Sequence, residues 1–200
     1  MVGVNSDLHK KALNLSYFTV GYNIIEGAVS ILAASLSGSI ALLGFGFDSF
    51  VESFSGFIMI WRFKTKRSLK GEEKIEKRAL RLVGYTFFIL AFYVAFESIK
   101  KLYQSEAPNP SLLGIIIATL SMIIMPILSH MKYKTGKLLK SRSLIADSKE
   151  TQACAALSIT LLIGLALNYF LGLWQADPII GLLIAGFLIR EGYEILFRED

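Results

Sequence analysis

Six apolar segments, each long enough to cross the hydrocarbon core of a bilayer, make up most of this 200-residue chain. Inside lipid a backbone N–H or C=O group finds no partner outside its own segment, so each segment must form a helix. The sequence therefore predicts an all-α, polytopic membrane protein with six transmembrane helices in one domain, residues 1–200. The predicted spans are Leu13–Leu36, Ser39–Trp61, Arg81–Tyr103, Ser111–Met131, Ser143–Leu171 and Asp177–Phe197.

The composition excludes an ordinary soluble domain, because 54% of the residues are hydrophobic and the mean hydropathy is +0.54. The opening MVGVNSDLHKK lacks the short apolar core and the cleavage site of a signal peptide, so we expect the first span to be retained. A net charge of +5 would suggest nucleic acid for a soluble protein. Here the basic residues lie between the apolar segments, so membrane topology explains them and no nucleic-acid partner is expected.

The basic residues are distributed very unequally between the two sides of the predicted bundle. All of the 21 Lys and Arg residues except Lys100 and Lys101 lie on the side that carries both termini. The positive-inside rule therefore predicts cytoplasmic N- and C-termini. The charged stretch 70–81 is expected to extend helix 3 into the cytoplasm. Without a recognisable targeting segment, we expect a prokaryotic plasma membrane.

Two acids, Asp48 and Glu52, lie four residues apart within the otherwise apolar second span. At this spacing both carboxylates occupy one face of a helix. An acid inside a membrane helix costs roughly 2.5–3.5 kcal/mol on insertion scales, unless a cation, a proton or a wet cavity offsets it. The pair therefore predicts a functional site within the membrane.

A weak internal repeat indicates the partners of this acid pair. A pattern S-x-x-L-[LI]-[GA]-x₃-[DE]-x₃-[EC] begins at Ser39 and again at Ser141, which matches Asp48 to Glu150 and Glu52 to Cys154. Repeats of membrane helices commonly place a site at their interface. Helices 2 and 5 run in opposite directions in the predicted topology. Asp48 should therefore lie level with Cys154, and Glu52 level with Glu150.

These four side chains suit a divalent transition metal, because two i,i+4 pairs can enclose a tetrahedral cation with three carboxylates and a thiolate. Cys154 is the only cysteine, which excludes an intrachain disulfide. It is either a ligand or a small buried apolar residue. Asp147, about one turn before Glu150, is an alternative that either replaces Cys154 as a ligand or caps helix 5.

Helix 1 contributes two further candidates, Asn23 and Glu26, in the middle of its span. One interpretation is an interhelical hydrogen bond made by a protonated Glu26; the other is a vestibule or proton-relay acid. The chain has no HExxH motif, no nucleophile–base pair and no histidine within the membrane. We therefore expect no enzymatic activity and no cofactor apart from the transported ion.

The runs SGSIALLGFGFDSFVES, SRSLIADSKETQAC and ADPIIGLLIAGFLIREGYEIL resemble the cation diffusion facilitator (cation efflux) family over nearly the whole chain. The resemblance implies a six-helix membrane domain with cytoplasmic termini that exports Zn²⁺, Mn²⁺, Fe²⁺ or Co²⁺ against protons. The family's [HD]-x₃-D pair on helix 2 falls on Asp48 and Glu52, and its pair on helix 5 falls on Glu150 and Cys154.

The chain departs from the family pattern at three of these four positions, with Glu at 52, Glu at 150 and Cys at 154, so the predicted site has no histidine. A typical member continues into a soluble metal-binding domain where this chain stops at Asp200. Any homodimer is therefore expected to form through the membrane domain.

Together these observations predict a secondary transporter of divalent transition-metal ions that works by alternating access and is coupled to protons. Zn²⁺ is the leading substrate, with Mn²⁺, Fe²⁺, Co²⁺ and Cd²⁺ as alternatives. The partners are the ion, protons and the lipid bilayer. The alternative is a non-transporting membrane protein that serves as a metal-sensing or scaffold subunit.

Overall fold

The computed structural model describes residues 2–64 and 72–197, which form six α-helices and no β-strand. The all-α prediction is confirmed. In chain order the helices are α1 Val2–Ser37, α2 Ile40–Lys64, α3 Glu72–Gln104, α4 Leu112–Leu139, α5 Arg142–Leu171 and α6 Ala176–Phe197.

Several helices extend beyond the predicted apolar spans. α1 begins at Val2 rather than Leu13, α3 begins at Glu72 rather than Arg81, and α4 continues past Met131 to Leu139. Hydropathy marks only the part of a helix that suits lipid, whereas backbone hydrogen bonds continue the same helix into water. The predicted extension of helix 3 therefore begins at Glu72, and residues 70 and 71 lie outside the described part.

Within the described residues, four helices contain stretches long and apolar enough to cross a membrane: Asp7–Ser37, Ile40–Trp61, Leu112–Leu139 and Ser143–Leu171. α3 and α6 do not meet the same criterion over their described residues. α3 carries Glu97, Lys100 and Lys101 towards its end, and α6 carries Arg190 and Glu191. Six membrane crossings therefore remain a prediction, as does the cytoplasmic position of both termini.

The helices pack mainly as the pairs α1 with α2, α4 with α5 and α3 with α6, and α2 also contacts α3, α5 and α6. α1 and α2 approach closely where two glycines meet: a Cβ on Gly27 would lie 2.8 Å from the carbonyl oxygen of Gly46. A side chain at either position would push the backbones apart. Glycine here therefore brings α1 against the face of α2 that carries Gly46 and Phe50.

A capping contact joins the N-terminal ends of α2 and α6. The carboxylate of Asp177 accepts a hydrogen bond from the Ser39 hydroxyl and another, of 3.0 Å, from the Ile40 backbone N–H. An acid at a helix N-terminus offsets the unpaired N–H groups there. Apolar side chains fill the bundle below this contact, and Leu42, Phe45 and Ile184 are fully buried. α2 and α6 are thus held side by side along the wall of the candidate site.

Candidate metal-ion site

A cavity of about 30 Å³ lies among α2, α5 and α6, with Phe87 of α3 also in its wall. This volume admits an ion or a small number of water molecules. The polar side chains that line the cavity come from three helices and include all four predicted metal ligands: Asp48, Glu52, Ser55, Glu150, Cys154 and Glu191. The fold therefore brings the two halves of the weak sequence repeat to one internal space.

Glu52 lines this cavity and is buried, and the contacts of its two carboxylate oxygens differ. The hydroxyl of Thr151 donates a 2.6 Å hydrogen bond to Oε1 of Glu52. Oε2 is also buried, and none of the described residues gives it a hydrogen bond. A buried carboxylate oxygen without a partner is costly, so this atom marks a position that favours a proton, a water molecule or a cation.

Two hydrogen bonds join α2 and α5 at the cavity. Glu150 accepts a 2.6 Å hydrogen bond from the hydroxyl of Ser55, which lies nearly one turn beyond Glu52. Glu52 instead contacts Thr151. Glu52 and Glu150 therefore each accept a hydrogen bond from a hydroxyl of the opposite helix, Glu52 from Thr151 and Glu150 from Ser55.

The predicted ligands share a cavity but do not surround a common point. Among residues 2–64 and 72–197, no three His, Cys, Asp or Glu side chains lie close enough together to hold one metal ion. Asp48 and Cys154 are both buried in the cavity wall, with 7% and 2% of their surface exposed. Coordination by Asp48, Glu52, Glu150 and Cys154 stays a prediction that requires their side chains to move inward around the ion.

Asp147 forms an ion pair that the sequence analysis did not predict. Its Oδ2 lies 2.9 Å from Nζ of Lys132 on α4, and both side chains are buried. Asp147 does not line the cavity. The prediction that it caps helix 5 is wrong, because the hydroxyl of Ser141 is the N-cap and accepts the backbone N–H of Leu144.

Lys132 also connects this ion pair to the cavity. Its ammonium donates a 2.8 Å hydrogen bond to the hydroxyl of Thr151, which in turn donates to Glu52. The ammonium thus supports the orientation in which the Thr151 hydrogen points at Glu52. A continuous polar chain therefore runs from α4 through α5 to α2.

Glu26 and Asn23 lie outside the cavity, between helices rather than in its wall. The hydroxyl of Ser49, next to Asp48, donates a 2.9 Å hydrogen bond to Oε2 of Glu26. The contact is an interhelical hydrogen bond in which Glu26 is the acceptor, and both interpretations of Glu26 stay predictions. Oε1 of Glu26 and both amide atoms of Asn23 are buried without a hydrogen-bond partner in the described part of the chain.

Two residues of this region were not singled out from the sequence. Lys132 was counted only as a cytoplasmic basic residue, because it follows the predicted end of the fourth span by one position. Glu191 lies inside the sixth predicted span. Acids within a membrane helix usually have a function, so this rule would have identified Glu191 as a candidate. The sequence of a uniformly apolar segment does not show which face of its helix points into the bundle.

An all-helical bundle with membrane-length apolar helices and an acid-lined internal cavity defines an integral membrane protein suited to cations. The chain belongs to the cation efflux family: the family model of the cation efflux transmembrane domain matches residues 17–199. The predicted family is confirmed.

Relatives occur in distant organisms. Transmembrane protein 163 of Xenopus laevis is 22% identical over 94% of this chain and 66% of its own length. An uncharacterised transporter of Methanocaldococcus jannaschii is 24% identical over 86% of this chain and 63% of its own length. Protein p34 of Rickettsia prowazekii is 25% identical over 98% of this chain and 66% of its own length. This chain thus spans just under two thirds of these relatives.

Proposed function

We propose that this protein is a secondary transporter of divalent transition-metal ions that binds its substrate in the cavity among α2, α5 and α6. The observation that carries the proposal is the charge of the cavity wall. Four carboxylic acids line the cavity, and none of the described residues in its wall is Lys, Arg or His. A low-dielectric space with several acids and no base is stabilised by a bound cation or by protons.

The proposed ligands are Asp48, Glu52, Glu150 and Cys154, two from α2 and two from α5. Glu52 supplies an oxygen that has no hydrogen-bond partner among residues 2–64 and 72–197, and Cys154 supplies a sulfur. Zn²⁺ accepts this mixture in a tetrahedral geometry and is the leading substrate; Mn²⁺, Fe²⁺, Co²⁺ and Cd²⁺ are the alternatives.

Proton coupling follows from the same ligands. Neighbouring carboxylates in a low-dielectric space repel one another and therefore hold protons when no metal is bound. A divalent ion binds the deprotonated ligands, so its arrival releases those protons. One set of residues thus exchanges metal for protons, and alternating access of the cavity to the two sides of the membrane turns the exchange into antiport.

The proposed direction is efflux from the cytoplasm across a prokaryotic plasma membrane, with both termini on the cytoplasmic side. The distribution of Lys and Arg supports this orientation. A homodimer, where it forms, pairs through the membrane domain.

The test is metal flux into sealed liposomes that contain the purified protein and a trapped metal-sensitive dye. We expect Zn²⁺ to enter at a rate proportional to the protein content, and a pH gradient to alter that rate. A parallel binding measurement on detergent-solubilised protein separates transport from sensing. Binding without flux would replace the transporter with the metal-sensing or scaffold alternative.

A further inference from the structure

The cavity contains an acid that the predicted α2–α5 site does not use. Glu191 lies on α6, is partly buried, and lines the cavity together with Asp48, Glu52 and Glu150. Its helix contacts both α2 and α5. A carboxylate in this wall is therefore available to an ion held by the other two helices.

Arg190 and Lys132 both form ion pairs with acids other than Glu191. The adjacent Arg190 pairs with Glu194 one turn further on, with 3.1 Å between Nε and Oε1. Lys132 is occupied by Asp147 and Thr151. In the described ranges, Glu191 has no hydrogen bond or ion pair of its own. Its charge thus adds to that of the cavity.

A second observation indicates that the cavity takes a ligand. In the part of the chain that the structure describes, Oε2 of Glu52 is buried without a hydrogen-bond partner, and only 7% of the surface of this residue is exposed. The same residue lines the cavity that Glu191 lines. Carboxylate oxygens from three helices therefore border a space where one of them requires an electropositive partner.

We propose that Glu191 is a further ligand for the transported ion and, together with Cys154, sets the metal preference of the site. The inference rests on the proposed transport function. Glu191 adds a hard oxygen donor from α6, which suits Mn²⁺, whereas the Cys154 sulfur suits softer ions such as Cd²⁺ and Zn²⁺. The cavity wall thus offers hard or soft donors beside a shared group of Asp48, Glu52 and Glu150.

The test compares uptake of Mn²⁺ and of Cd²⁺ by liposomes that contain the wild type or single variants. Glu191→Gln keeps the shape of the side chain and removes the anionic donor, so we expect Mn²⁺ uptake to fall about tenfold or more and Cd²⁺ uptake to fall less. Glu191→Asp keeps a carboxylate and should recover part of the Mn²⁺ uptake. Cys154→Ser should show the reverse preference, with Cd²⁺ uptake affected more than Mn²⁺ uptake.

The matched control is Glu194→Gln on the same helix, since Glu194 pairs with the exposed Arg190 and does not line the cavity. This variant should transport both ions like the wild type. If Glu191→Gln behaves like this control while Asp48→Asn loses transport, Glu191 is not a ligand and the proposed function stands. Equal losses of Mn²⁺ and Cd²⁺ in Glu191→Gln would refute a role in metal preference. A wild type that moves neither ion would overturn the proposed function together with this inference.

Discussion

Lys132 shows how a charged residue can be accommodated deep within a helical bundle. The side chain is fully buried, yet its ammonium contacts the carboxylate of Asp147 at 2.9 Å and the hydroxyl of Thr151 at 2.8 Å. An isolated buried ammonium would be strongly unfavourable, whereas a paired and hydrogen-bonded one is tolerated. The pair also joins Asp147 of α5 to α4, and Asp147 does not line the cavity.

Removing Lys132 alone should destabilise the protein, because Asp147 would remain as a buried charge without its partner. We expect Lys132→Met to lower the free energy of unfolding by about 3–5 kcal/mol. The double variant Lys132→Met/Asp147→Asn should recover much of this loss. Reversible unfolding in mixed detergent measures both effects. A double variant as unstable as Lys132→Met would show that the ion pair is not the reason for the loss.

The acid pair of α2 offers a second test at the residue scale. Asp48→Asn and Glu52→Gln keep side-chain shape but remove the anionic ligand, so each should abolish metal flux into liposomes while expression stays near normal. Glu97→Gln is the control, because Glu97 pairs with the partly exposed Lys100 on α3 and does not line the cavity. Flux that persists in both cavity variants would make the acid pair structural.

At the scale of helices, the close approach of α1 and α2 depends on the absence of a side chain at Gly27. A Cβ there would lie 2.8 Å from the Gly46 carbonyl oxygen and 3.0 Å from the ring of Phe50. We therefore expect Gly27→Ala to lower the free energy of unfolding by about 1–3 kcal/mol through overpacking. Thermal unfolding in detergent is the measurement.

Gly21 provides a matched control on the same helix, since a Cβ at this position would lie within 4 Å of no described atom beyond its chain neighbours and the nearby backbone of α1. Gly21→Ala should be neutral or slightly stabilising, because alanine has the higher helix propensity. If the two glycine variants unfolded alike, the close approach of the backbones would not be important for stability. The hydrogen bond between Ser49 and Glu26 depends on the same approach.

At the scale of the whole molecule, the charge distribution predicts how the bundle is oriented in the membrane. Single cysteines at the exposed positions Ser105 and Gln175, in a Cys154→Ser background, should react with an impermeant thiol reagent from outside the cell. A cysteine at the exposed position Lys134 should react only after the membrane is opened. Labelling at Lys134 in intact cells would overturn the orientation and with it the proposed direction of efflux.

Metal and proton exchange is also a property of the whole cavity, because its acids interact and titrate as a coupled group. Metal binding should release protons, so the apparent affinity for Zn²⁺ should rise with pH until the ligands are ionised. Calorimetry in buffers of different ionisation enthalpy, from about pH 5.5 to about pH 8, measures the number of protons released. Glu150→Gln should release fewer protons than the wild type. Affinity that does not change with pH would contradict exchange at these residues.

Local features of the sequence determined the helices and the leading candidates for the site. The requirement to pair every backbone group in lipid makes long apolar segments helical, and an i,i+4 spacing places Asp48 and Glu52 on one face whatever surrounds them. The repeat indicated Glu150 and Cys154 as the partners of that pair, and all four side chains line the same cavity. The helices and the candidate ligands can therefore be inferred from the sequence once the surrounding solvent is known to be lipid.

Tertiary structure alone decided which charged residues meet. The Lys132–Asp147 ion pair, the hydrogen bonds of Glu52 and Glu150 to the opposite helix, and the position of Glu191 all depend on how helices rotate and slide against one another. A uniformly apolar helix has almost the same hydropathy on every face, so its sequence does not indicate the inward face. Side-chain packing between helices sets that rotation, and such packing exists only once the bundle has assembled.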